Sequence, residues 1–174
     1  KRAGAQGVFH RLVLRGVAGL YHAVFIIPAA LQVHLPAIGF HCVCFNQDRS
    51  SNVWQGSAAQ KWCNTFYTNS FSEGEQGAVF ATTKTDAEYN ASSGDLPPKY
   101  GESELKGDTV FFLSAEEVRK AAYGFIDDNA RIANYGDSAG GWWLRSPHQD
   151  YNYAGMVNDS GSVRAGWVND TNAA

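Results

Sequence analysis

The feature that most constrains this chain is where its acidic residues begin. From Lys1 to Gln47 there is no Asp or Glu, while Lys1, Arg2, Arg11 and Arg15 are basic. From Asp48 onward all 17 acidic residues appear against 10 basic ones, a balance of −7. Four of the five histidines (His10, His22, His34 and His41) also fall in the first part. A break of this kind separates a domain from a second or processed segment. The expected division is therefore an unassigned, apolar and acid-free segment over residues 1–45 and one folded domain over residues 46–174. A net charge of −3 over 174 residues argues against a nucleic-acid partner, which calls for a basic face.

Within the first segment, residues 16–31 (GVAGLYHAVFIIPAAL) are apolar apart from His22 and come after a basic flank. That order is the one used by signal peptides and membrane anchors. The run is only as long as the lower limit for a spanning helix, Pro28 interrupts it, and no clean small-x-small cleavage site comes after it. A non-native upstream reading of the gene stands as the other alternative. A membrane partner is expected only if residues 16–31 are an anchor.

The acidic part carries three S-x-x-E/Q boxes: Ser57 to Gln60, Ser72 to Glu75 and Ser114 to Glu117. In a capping box the serine oxygen accepts from an orphan amide while the Glu or Gln reaches back, so each box predicts a short helix start. Around the third, Leu113 and Val118 stand where a hydrophobic staple needs them. Ala59, Trp62 and Phe66 recur at helical spacing and predict one buried face on the first helix. Thr85 to Asp108, rich in Ser, Gly, Pro and charge, predicts a loop. Thr109 to Leu113 and Trp142 to Ser146 read as buried strands, the second stopped by Pro147. Tyr153 to Val157 and Ser162 to Val168 flank Asp159-Ser160-Gly161 and predict a hairpin. In its second strand Val163, Ala165 and Trp167 are expected to be buried and Ser162, Arg164 and Gly166 exposed. The fold class is α+β: short capped helices with antiparallel strands.

Several of these stretches occur together in one known family. Trp62, Phe71-Ser72-Glu75, Phe111 to Ser114 with Glu117, Trp142 to Pro147, and Val157-Asn158 with Gly161-Ser162-Val163 together resemble the bacterial domain of unknown function 6273. The resemblance runs from Asn46 to Asn172. It implies a C-type-lectin-like fold, related to formylglycine-generating enzymes and to the variable proteins of diversity-generating retroelements. Family members continue into a further V-R-P-A-like strand that this chain ends without, so a fragment of a longer protein is expected.

Catalytic and metal chemistry each meet a specific obstacle. Gly136-Asp137-Ser138-Ala139-Gly140 matches the nucleophile-elbow pattern of serine hydrolases. That motif needs a strand before it, a helix after it, and then an acid and a histidine in that order. Here a Trp-rich strand comes next, and His148 precedes Asp150, so a hydrolase using Ser138 is the disfavoured alternative. The family's cysteine-dependent branch needs a late cysteine, and none lies beyond Cys63, which reads as a small buried apolar residue. Cys42, Cys44 and Cys63 are odd in number and match no zinc spacing. Trp167-Val168-Asn169-Asp170 departs by one residue from a lectin calcium motif, and few further oxygen ligands are in sight. Arg145 is expected to be structural. No cofactor, metal or catalytic residue is assigned.

The C-terminal loops remain. Tyr151, Asn152 and Tyr153, with Asn169 and Asp170, have the composition of recognition loops, in which tyrosine supplies rigid area and Asn supplies adaptable hydrogen bonds. Turn formation alone explains the Asn and Asp, but not Tyr151 and Tyr153. The expectation is a non-catalytic recognition module of a bacterial secreted or surface protein, binding a protein or a glycan through these five residues. A structural spacer module is the blander alternative.

Overall fold

The computed structural model describes the backbone of residues 13–16, 19–22, 43–90, 99–135 and 138–170, and their side chains apart from those of 13–16, 19–22, 90, 99 and 135. Of the N-terminal segment this includes one antiparallel hairpin, β1 (Val13–Gly16) with β2 (Gly19–His22). The rest of the apolar run at 16–31 lies outside the described residues, as do His41 and Cys42. Among the described residues, no helix is long and apolar enough to cross a membrane.

The three serine caps form in three different ways. Ser57 precedes α1 (Ala58–Ser70), and its Oγ accepts from the Gln60 amide at 3.0 Å. The Gln60 side chain turns away from Ser57, accepting from the Gly56 amide and donating to the buried Asp108 carboxylate at 2.6 Å. Ser72 closes a complete capping box with Glu75 ahead of the one-turn α2 (Glu73–Gln76). At Ser114 both arms also form, at 3.1 Å and 2.8 Å. In place of the expected helix, this cap opens two 3-10 turns, Glu117–Arg119 and Ala121–Tyr123. Lys120 leaves the helical region between them, and the Glu117 carboxylate is claimed by Arg145 as well as by Ser114. Leu113 and Val118 are both buried in one cluster, as a staple requires.

The described part of the segment expected as a loop over 85–108 is largely paired. β3 (Thr82–Asp86) runs antiparallel to β6 (Ser103–Asp108), and β4 (Tyr89–Asn90) pairs with β5 (Lys99–Tyr100). These strands are polar because only alternate side chains turn inward: Ser103 and Leu105 are buried while Glu104 and Lys106 face out. Conversely, residues 109–113, expected as a strand, are irregular chain. Val110 and Leu113 are buried, and the Leu113 carbonyl accepts a backbone hydrogen bond from the Arg145 amide at 2.9 Å. An apolar run reports burial, and burial does not by itself imply ladder pairing.

After the hairpin β7 (Ala133–Tyr135) and β8 (Ser138–Gly140) comes the central sheet. Its strands are β9 (Trp142–Pro147), β10 (Tyr153–Val157) and β11 (Val163–Trp167), antiparallel in the order β11-β10-β9. β9 is covered on both faces. Trp143 packs toward α1, edge-on to Phe45 at 5.9 Å, while Trp142 and Leu144 enter the opposite cluster with Val118 and Phe125. Phe45 is fully buried, and the Asn46 amide donates to the Val168 carbonyl at 2.8 Å, which ties the start of the packed chain to the end of β11.

The β10–β11 hairpin forms as expected, with Gly161 at φ +79° in its turn. Its inward–outward pattern needs correcting at one end. Gly166 is buried, and a Cβ there would meet the Trp143 ring at 3.0 Å; Trp167 is 38% exposed. Arg164 on the face opposite Val163 is exposed as expected, but at Gly166 that face is closed by Trp143 and Met156, which leave room only for a glycine.

Arg145 is the largest charged side chain to be fully buried among the described residues. Its side chain has no exposure, and it ion-pairs with Asp86 on β3 and with Glu117 at 2.6 Å, while Lys84 bridges the same two carboxylates. A further bond to the Phe112 carbonyl at 2.6 Å fixes the irregular segment. Burial lowers the Arg145 pKa to about 9, which leaves it cationic at neutral pH. Its expected structural role is what the geometry shows.

Candidate functional site

The end of the sheet where β10 begins and β11 finishes is built around one buried amide. Asn52, 6% exposed, directs Nδ2 at the carbonyls of His148 (2.7 Å), Asp150 (3.1 Å) and Tyr153 (2.8 Å). Two amide hydrogens shared among three carbonyls cinch the connection between β9 and β10 into a tight loop. Within it the Tyr153 amide returns to the Asp150 carbonyl at 3.0 Å. Tyr151 stands at the tip of that turn, 65% exposed.

From this loop an aromatic row runs outward. Tyr100 meets His148 edge-on at 5.9 Å, His148 meets Tyr153 at 5.8 Å, and Tyr153 lies 4.2 Å from Trp167. The row ends at Arg49, whose Cζ sits 3.9 Å from the Trp167 centroid and whose Nε donates to Asn169 Oδ1 at 2.9 Å. Burial pushes the His148 pKa down, opposed by the Asp150 carboxylate. Its Nδ1 accepts from the Asp150 amide at 3.2 Å, which is the bonding of a neutral imidazole.

Of the five expected site residues, Tyr151, Tyr153 and Asn169 come together here. Asn152 and Asp170 serve through their backbones: the Asn152 carbonyl accepts from Val168 N at 3.0 Å, and the Asp170 amide donates to the Trp167 carbonyl at 2.8 Å. Three contributors are not legible in the sequence. Asn52 and Arg49 sit in a polar stretch with no periodicity, a hundred residues before the loops they touch. Trp167 reads as core because its strand alternates. Val53, beside Asn52, is also 53% exposed.

The other chemically tempting groups lie elsewhere. Ser138 is the exposed first residue of β8, so it leads into a strand rather than a helix; Gly136 and Asp137 are outside the described residues. Burial pushes the Cys63 thiol far up, which keeps it protonated. Asn169 Oδ1, the oxygen a calcium motif would use, already faces a guanidinium. Among the described residues, no three His, Cys, Asp or Glu side chains gather as a metal site would require.

Comparison with known proteins gives one match. The family model described as Domain of unknown function (DUF6273) covers residues 37–173. The chain belongs to that family. No curated protein and no solved structure matches it. The match extends nine residues ahead of Asn46, and the packing of this DUF6273 domain is already under way at Val43, whose carbonyl accepts from the Trp143 indole at 2.8 Å.

Proposed function

We propose that this DUF6273 domain is a recognition module, binding a ligand on the face formed by Tyr151, Tyr153, Trp167 and Arg49. One observation carries the reading. Most large aromatic side chains of the sheet end are packed or half-packed, yet Tyr151, on the loop whose carbonyls Asn52 binds, and Trp167, paired with Tyr153 at the end of β11, are presented to solvent. A rigid aromatic patch loses little entropy on binding and so retains most of its contact energy. Tyr, Trp and Arg are also the residues that dominate binding hot spots.

The rest of the reading comes from the sequence signature: a C-type-lectin-like fold displaying its C-terminal loops, carried on a bacterial secreted or surface protein. The basic flank and apolar run of the first segment support export. No observation at Ser138 favours the hydrolase alternative, and a spacer would have no use for a presented tyrosine.

The test is selection of a random-peptide display library and screening of a glycan array with the 174-residue chain, in parallel with Tyr151→Ala. Ligands retained by the wild type and lost by Tyr151→Ala, at unchanged melting temperature, support the module. Equal retention by both proteins, or retention by neither, overturns it.

A further inference from the structure

We propose that Arg49 is a carboxylate anchor, and that the ligand of this face is a protein surface bearing an Asp or Glu side chain beside apolar residues. The proposal rests on the binding reading above and adds the chemistry of what is bound.

Arg49 is exposed, yet it is held at two points. Its Cζ lies 3.9 Å from the Trp167 centroid and its Nε is bonded to Asn169 at 2.9 Å. Stacking on an aromatic face and a fixed Nε leave a guanidinium little freedom, so its two terminal nitrogens are pre-set as a fork. Among the described residues neither terminal nitrogen has a partner and Arg49 has no ion pair. The neighbouring Asp48 is turned instead toward Ser50, its Oδ1 accepting from the Ser50 amide at 2.9 Å and from the Ser50 hydroxyl. A preorganised, uncompensated fork matches a carboxylate in bidentate geometry.

The surroundings narrow the ligand further. Tyr153 lies 4.2 Å from the Trp167 centroid at an interplanar angle of 33°. Two groups this close cannot share one face of an indole, so Arg49 and Tyr153 take opposite faces. Trp167 therefore offers no open face on which a sugar ring could stack. Asp48 and Asp150 are exposed close by, and the family domain is acidic overall, so a polyanion would be repelled. A single carboxylate flanked by apolar groups fits: the acid reaches Arg49 while the apolar part covers Tyr151, 65% exposed.

The experiment extends the peptide selection to Arg49→Gln and Arg49→Lys, with melting temperatures confirming that both fold. Peptides selected on the wild type are resynthesised with each Asp or Glu changed to its amide. The proposal expects one acidic position whose amide weakens binding at least tenfold on the wild type and has no effect on Arg49→Gln. Arg49→Lys, which keeps the charge but not the fork, should fall between. Peptides that need Tyr151 but carry no such position, or that bind Arg49→Gln equally well, overturn the anchor and leave the recognition module standing. Binding confined to uronic-acid oligosaccharides on the array overturns the protein ligand. Absence of any Tyr151-dependent ligand overturns both readings together.

Discussion

Tyr153 and Trp167 stand directly opposite each other on β10 and β11, with ring centroids 4.2 Å apart. Val168 N donates to the Asn152 carbonyl, so the next pair inward, Tyr153 with Trp167, is a non-hydrogen-bonded one, in which side chains approach most closely. The contact is thus a cross-strand aromatic pair placed at the rim of the core. A double-mutant cycle with Tyr153→Ala and Trp167→Ala should return a coupling of about 0.5–1.5 kcal/mol in urea unfolding. Strictly additive losses would mean that the rings do not touch in solution. Tyr151→Ala, by contrast, should leave stability within about 0.5 kcal/mol of wild type, as exposed positions do.

Arg145 makes a stronger prediction because its two carboxylate partners are almost as buried as it is. Asp86 and Glu117 have side-chain exposures of 7% and 4%. Replacing Arg145 by Met keeps the volume but leaves Lys84, at 30% side-chain exposure, as the one described counter-charge to both acids. The expected loss is about 3–5 kcal/mol, the usual penalty for a buried ion stripped of its partner. Adding Asp86→Asn and Glu117→Gln to Arg145→Met should restore part of that loss, since the uncompensated charge is then gone. If the triple variant is less stable than the single one, the network stabilises through its hydrogen bonds and not through charge balance.

These two sites also show what the chain discloses before folding and what it does not. Trp142 to Pro147 and the β10–β11 hairpin are legible because an apolar run ending at Pro147 and the Asp159-Ser160-Gly161 turn are local signals. The serine caps are legible for the same reason. The Ser114 box nevertheless misleads on helix length, since Glu117 answers to Arg145, 28 residues later, as well as to its own cap. β3 and β6 escape a sequence reading because their Thr, Lys, Ser and Glu residues resemble a loop unless the pairing across 82–108 is known. The candidate site divides along the same line. Tyr151 and Tyr153 announce themselves by composition, whereas Asn52 and Arg49 acquire their roles through contacts about 100 and 120 residues away. Nothing periodic marks them.

Gly161 tests the hairpin that carries the site. It sits at φ +79°, and a Cβ there would run into the Asp128 carbonyl oxygen. The same turn is also held by hydrogen bonds, Arg131 Nε donating to the Gly161 carbonyl at 2.8 Å and the Ser162 hydroxyl to the Asp128 carboxylate at 2.7 Å. Gly161→Ala should therefore cost more than the roughly 1–2 kcal/mol of left-handed backbone alone. Gly56, at φ +81° with nothing near its would-be Cβ, is the control: Gly56→Ala should show only the backbone part. Equal losses at the two positions in chemical denaturation would show that the Asp128 turn yields freely.

The last prediction concerns pH and the loop under Tyr151. Burial holds the His148 pKa below that of a free histidine, and its Nδ1 accepts the Asp150 amide, a bond that protonation at Nδ1 destroys. The unfolded chain, titrating near ~6.5, therefore binds this proton at higher pH than the native state does. Where the unfolded state holds more protons, stability rises with pH. The contribution is fully present above the free histidine value and is lost as pH falls from there through the lower native value. Melting temperature should accordingly drop between about pH 7 and pH 5.5, before the carboxylates, near ~4, begin to titrate. His148→Gln, which cannot take up the proton, should flatten the profile over that interval. Ligand retention should decline in the same interval, since the Asp150–Tyr153 turn that presents Tyr151 loses one of its fixing bonds. A melting profile unchanged between wild type and His148→Gln would place the imidazole in water and detach it from the aromatic row.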